Sequence, residues 1–202
     1  MIHKTVLITE EQVAQYQIAA QDGDAMAQRQ LGWCYAHGDV LPKDDIKSFY
    51  WYHKAADQGD SVAQCQLGLS YLIGRGVEKN IEEAVKYWEL AANQGEAVAQ
   101  FNLGCYYFKL HDVPNSKEKA VYWYQKSANQ GYSKAQYNLA FCYENGIGIG
   151  LNRDKARFWY QKSVENGADK AKGIVASLKR KRYRIYTLIV LVVILIVFLY
   201  FS

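Results

Sequence analysis

Residues 63–99 read AQCQLGLSYLIGRGVEKNIEEAVKYWELAANQGEAVA, and the pattern recurs on both sides of that stretch with a period of 36. Ala27, Ala63, Ala99, Ala135 and Ala171 keep the step, as do Leu31, Leu67, Leu103 and Leu139. Tyr35, Tyr71, Tyr107 and Tyr143 follow it too, with Gly23, Gly59, Gly95, Gly131 and Gly167. A fixed period of this size marks a chain of stacked units, each burying its apolar face only against its neighbours. That moves the functional question from a catalytic pocket to an extended binding surface.

Each period holds two helical patterns. The first is AQxxLGxxY, as in 99–107, which puts Ala, Leu and Tyr at i, i+4 and i+8 on one helical face. The second is AxxxYxKxA, as in 120–128. Asp44, Asn80, Ser116 and Asn152 share one register at the end of the intervening loop and are all N-cap types, which predicts that the second helix starts there. Gly59, Gly95, Gly131 and Gly167 follow the second helix, where a left-handed C-cap is expected.

The array has half-units at its ends. Residues 1–23 form a capping half-repeat whose helix, over 9–22, opens on Thr9 and Gln12 in a capping-box arrangement. Four full units follow at 24–60, 61–96, 97–132 and 133–169. Residues 170–184 form a closing helix and a basic flank, Lys179, Arg180, Lys181, Arg182 and Arg184. From Ile185 to Phe201 every residue except Thr187 is apolar or aromatic. That run is roughly 26 Å of helix, enough for a thin bilayer core.

Charge follows this division. Residues 1–168 carry 17 Lys/Arg against 19 Asp/Glu, so the overall charge of +4 comes from the C-terminal end. A basic pI of that origin does not indicate a nucleic-acid-binding body. Directly before an apolar span the basic run reads as a positive-inside flank, with Tyr183, Tyr186 and Tyr200 near the span's ends as interfacial aromatics. The opening MIHKTVLITEEQ does not read as a signal peptide. The repeats are therefore expected in the cytoplasm, on a single-pass C-terminal anchor; the compact chain of uniform repeats favours a bacterial inner membrane, and in a eukaryote the same tail would suit the endoplasmic reticulum or mitochondrial outer membrane. The cysteines, Cys34, Cys65, Cys105 and Cys142, fall in different registers of the repeat and form no CxxC, so reduced thiols are expected.

The unit resembles the Sel-one-like repeat, a relative of the tetratricopeptide repeat. Ala63, Leu67, Gly68, Tyr71, Gly74, Gly76, Val77, Ala84, Ala91, Ala92, Gly95 and Ala99 match its pattern, with Asn80 for Asp and Trp88 one place late after Tyr87. The third unit departs: Leu110 and Asp112 replace loop glycines and Pro114 is added, so its turn is expected to differ in shape. The fourth has Ala140 for Gly. The resemblance implies an all-α, right-handed superhelical solenoid of antiparallel helix pairs that binds protein partners and has no catalytic residues.

No chemical motif competes with that reading. Gly146-Ile147-Gly148-Ile149-Gly150 follows a helix rather than a strand, so it reads as an inter-helix turn and not a phosphate loop. Cys34 and His37 share a helix face but lack the further ligands that zinc wants. No cofactor, metal, nucleic acid or small-molecule substrate is expected. Trp51, Tyr87, Trp123 and Trp159 recur at the period and read as packing between units.

The open face of the first helices is the candidate site. At about 100° per residue, positions 26, 30, 33 and 37 lie away from the Ala/Leu/Tyr stripe. First helices line the concave surface in tetratricopeptide-like arrays. On that basis Trp33, Leu69, Ile73 and Phe141 form an apolar floor beside an amide ladder of Gln30, Gln66, Asn102 and Asn138, with His37 and Cys105 on the same face. Amides pair with peptide backbone and apolar floors accept side-chain anchors. Packing against adjacent helices is the competing reading of these residues. The expected function is a membrane-anchored adaptor that holds a protein or peptide in the groove. The alternative is a structural subunit of an integral membrane complex, associated through its tail.

Overall fold

A computed structural model describes residues 8–177. Their secondary structure is entirely helical, with no strand among the described residues. The helices are α1 (Glu10–Gln21), α2 (Ala25–His37), α3 (Asp45–Asp57), α4 (Ser61–Ile73), α5 (Ile81–Asn93), α6 (Ala97–Lys109), α7 (Ser116–Asn129), α8 (Ser133–Asn145) and α9 (Arg153–Glu165). Residues 169–177 are helical as well. The chain divides into two compact units, Met1–Lys109 and Leu110–Ser202. In the first, α1 to α6 pack in sequence order, each against the next; in the second, α7 packs on α8 and α8 on α9. The apolar span at 185–201 and the basic flank at 179–184 lie outside the described residues.

Helix boundaries follow from capping. Thr9 and Gln12 form the expected capping box. Asp44, Asn80 and Asn152 each accept a hydrogen bond from the backbone three residues on, opening α3, α5 and α9. Their own backbone N–H groups donate to Tyr35 O, Tyr71 O and Tyr143 O, which ties each second helix to the preceding first helix. Ser116 does not take this role. The N-cap of α7 is Asn115, left-handed at φ 56°, and Ser116 is the first helical residue. With Asp112 also left-handed at φ 57°, this loop turns without the glycines used elsewhere, and its exit shifts by one residue.

Gly59, Gly95, Gly131 and Gly167 all have positive φ, as the C-cap reading expected, and Gly23 after α1 does too. The next residue donates its N–H five positions back, as Asp24 N does to Ala19 O and Asp60 N to Ala55 O. This is the Schellman closure. Asp24 and Asp60 then turn their side chains forward and cap α2 and α4 through Ala27 N at 2.6 Å and Ala63 N at 2.8 Å. One residue thus ends one helix and starts the next, which makes the link between repeats short and stiff.

The core is the repeated stripe. Leu31, Leu67, Leu103 and Leu139 are buried with the repeat alanines. The buried aromatics of the second helices are Tyr52, Trp88, Tyr124 and Tyr160, one position after the series singled out from periodicity. Trp51, Tyr87, Trp123 and Trp159 are only half-buried, so they sit at the edge of the packing and not in its centre. The Tyr87–Trp88 order is inverted relative to its neighbours, and Trp88 takes the buried slot. Its indole N–H donates to Cys65 O at 3.3 Å, and a methyl group at Gly68 would run into its ring.

Candidate functional site

The proposed face can be followed helix by helix. On α2, Gln30 and Trp33 are half-buried and His37 is exposed. The Trp33 and His37 rings stack with centroids 4.0 Å apart, and His37 Nδ1 donates to Trp33 O at 2.9 Å. Trp33 also packs against the buried cluster of Tyr52, Ala55, Ala56, Ala63 and Leu67, so one side of its ring is core and the other is surface. On α4, Gln66 and Leu69 are half-buried and Ile73 is 41% exposed. On α6, Asn102 and Cys105 are half-buried. In the second unit, α8 places Asn138 and Phe141 in the same register, with Phe141 38% exposed. The starts of α2 and α4 lie close together, since Arg29 Nε is 3.5 Å from the α4 N-cap carboxylate of Asp60.

The amides of this face differ from a second glutamine series that periodicity alone did not assign. Gln28, Gln64, Gln100 and Gln136 are all buried, at 3–6% exposure. Each donates Nε2 to the carbonyl eight residues earlier, Ala20, Ala56, Ala92 and Ala128, at 3.1–3.3 Å. Gln28, Gln64 and Gln136 accept in turn from Gln58, Gln94 and Asn166, thirty residues on, at 2.8–3.0 Å. The side chain thus joins the end of one helix to the end of another a repeat later. The signal was in the sequence, as the Gln that follows Ala27, Ala63, Ala99 and Ala135, but a glutamine beside a helix start reads as solvent-facing unless its partners are known. By contrast, the half-buried amides of Gln30, Gln66 and Asn102 have no hydrogen-bond partner among the described residues.

An aromatic patch at α3, α4 and α5 also escaped the sequence reading. Phe49 meets Tyr71 edge-on at 5.4 Å, and Tyr71 stacks on Tyr87 at 5.7 Å. Tyr87 Oη lies 3.4 Å from His53 Nε2, and His53 Nδ1 lies 3.0 Å from Asp57 Oδ2. Burial, with Glu83 nearby, raises the Tyr71 phenol above its ordinary pKa. Burial, with Tyr71 and Asp57 nearby, raises Tyr87. Both hydroxyls therefore remain neutral hydrogen-bonding groups at ordinary pH.

All four cysteines are thiols. Cys34, Cys65 and Cys142 are buried and Cys105 is partly so. Burial pushes Cys65 and Cys142 up to about 12, which keeps them protonated and unreactive. Cys34 is buried while His37 is exposed, so the pair does not converge on one point. Among the described residues no group of three His, Cys, Asp or Glu is placed to hold a metal. The Gly146–Gly150 segment is the turn between α8 and α9, opened by Gly146 at φ 67°.

Paired helices, a stripe of Ala and Leu, and open amides on the first helices define a helical-repeat scaffold of the kind that presents a surface to other proteins. Sel1 repeat models match residues 25–60, 61–96, 97–132 and 133–167, and the chain belongs to that family. Sel1 repeat proteins generally mediate protein–protein interaction. A Sel1 repeat protein from Oxalobacter formigenes is similar at 29% identity and a TM-score of 0.75, over 84% of this chain and 49% of that one. The c5321 protective antigen of uropathogenic Escherichia coli is similar at 34% identity and 0.73, over 84% and 37%. The immunity protein Pa5087 of Pseudomonas aeruginosa is similar at 26% identity and 0.58, over 83% and 62%. The chain spans about half or less of the first two proteins' length. No curated protein matches it.

Proposed function

We propose that the protein is a membrane-anchored adaptor that captures a protein or peptide segment on the first-helix faces. The observation that carries this reading is the row of half-buried, unpartnered amides Gln30, Gln66 and Asn102 beside Trp33, Leu69 and Ile73. An extended peptide satisfies such amides through its backbone while its side chains fill the apolar positions between them. Asn138 and Phe141 hold the corresponding register in the second unit. The anchor is the 185–201 span with its basic flank, which would hold the repeats on the cytoplasmic side of a membrane, a bacterial inner membrane for preference. Among the described residues no helix is long and apolar enough to cross a membrane, so the anchoring rests on the sequence of the tail.

A photo-crosslinking residue at Gln66 tests the reading in native membranes. It should capture a discrete partner that the same residue at Tyr50, on α3, does not. Equal capture from both positions would sink it. A second reading comes from the likeness to an immunity protein: the captured partner would be a toxin that the chain neutralises. Protection of cells from a co-expressed toxin, lost on Leu69→Asp, would favour that partner.

A further inference from the structure

The two compact units differ in charge. Residues 8–109 carry eight Lys/Arg against fourteen Asp/Glu, whereas residues 110–177 carry ten against six. The second unit also exposes aromatic rings on the outer sides of its second helices. Tyr122 on α7 and Phe158 on α9 hold the same register one repeat apart, and each is 52% exposed. Each is backed edge-on by a half-buried tryptophan, Trp123 at 5.0 Å and Trp159 at 5.1 Å. Lys126 Nζ sits 4.8 Å from the Tyr122 ring and 5.3 Å from Trp123. The two helices end side by side. Gln136 bonds both Ala128 O, near the end of α7, and Asn166, the C-cap of α9.

We propose that this outer face of α7 and α9 rests on an anionic lipid surface. Tyrosine, tryptophan and phenylalanine beside lysine suit the headgroup boundary, where an amphipathic ring is half in water and cations meet lipid phosphates. The tether supplies the second argument. Seven residues, 178–184, separate the described part of the second unit from the apolar span, and even fully extended they reach only about 25 Å. A surface confined that close to a bilayer needs little intrinsic affinity to settle on it. The first unit provides an internal control: α3 carries the same ring pair, Tyr50–Trp51, with Lys54 over Tyr50, but within an acidic unit that an anionic leaflet repels. The inference rests on the membrane-anchored reading.

The test uses the full chain in vesicles of phosphatidylcholine with or without phosphatidylglycerol, bearing bromines high on the acyl chains. No tryptophan lies in 178–202, so any quenching of tryptophan emission reports the repeats. Quenching should appear with phosphatidylglycerol, fall at least several-fold without it, and vanish in Trp123→Phe/Trp159→Phe while surviving in Trp51→Phe. Tyr122→Ser/Phe158→Ser, which alters only exposed rings, should also lose most of it. Flotation of the chain with the vesicles but no quenching, or quenching that survives the Trp123/Trp159 double variant, overturns the lipid contact and leaves the anchor standing. Failure to float at all overturns the anchor and this inference together. Shielding of Trp123 and Trp159 by RNA with no lipid quenching assigns the face to nucleic acid and overturns it as well.

Discussion

Gln64 and Gln66 stand two residues apart on α4, yet they belong to different parts of the molecule. Gln64 is buried, donates to Ala56 O and accepts from Gln94. Gln66 is half-buried with no partner among the described residues. Two residues rotate a helix by about 200°, so one amide faces the inter-repeat seam and the other the open face. Identical chemistry therefore serves cohesion at one position and leaves hydrogen-bonding capacity unused at the next.

The comparison can be tested by substitution, beginning with the buried side. Leu67→Ala empties a fully buried site and should cost roughly 2–5 kcal/mol of stability, read as a lowered denaturation midpoint. Alkaline pH acts on the same side. Cys65 is held protonated in the fold up to about 12, against 9.0 for an ordinary thiol. A raised folded pKa gives stability that is complete below the unfolded value and is lost as pH rises. Melting temperature should therefore fall between about pH 9 and 12, and Cys65→Ala should reduce that slope; an unchanged slope would show that other groups carry it. Gln64→Ala removes its hydrogen bonds to Ala56 O, which keeps the Gly59 N–H, and to the exposed Gln94, at a cost of about 1–3 kcal/mol for the two. Gln66→Ala should change stability by no more than about 0.5 kcal/mol, as a surface substitution does, while weakening partner capture. If Gln66→Ala unfolds the protein as Gln64→Ala does, the two sides are not distinct and the binding face fails.

Trp33 and Phe141 sharpen the boundary between those sides. Trp33 has one side against the Tyr52–Leu67 cluster, whereas Phe141 is exposed. Truncating Trp33 should affect both melting and partner binding, and truncating Phe141 chiefly binding. Equal destabilisation by both would move Phe141 into the core.

Much of the architecture was legible because the repeat is written in steric terms. Small residues at Ala27, Ala63 and Gly68, bulky ones at Leu31 and Leu67, and glycines after each second helix are local requirements of close packing and left-handed turns. Asp44, Asn80 and Asn152 were readable as caps for the same reason, since a cap is satisfied within three residues of itself. Ser116 misled because the preceding loop, with Pro114 and two left-handed non-glycine residues, moves the cap back to Asn115. The buried glutamine series was invisible as a role, although plain as a pattern, because its partners lie eight and thirty residues away.

By itself the sequence determined the period, the helix pairing, the buried leucine stripe and the family, because each depends on residue size and backbone preference at short range. Only the tertiary structure decided which of two neighbouring amides is buried and which aromatic of each adjacent pair fills the core. It also showed that the exposed rings Tyr122 and Phe158 sit on a basic unit while Tyr50 sits on an acidic one. Those outcomes depend on what a side chain meets from a helix a repeat away, and no local propensity encodes that meeting.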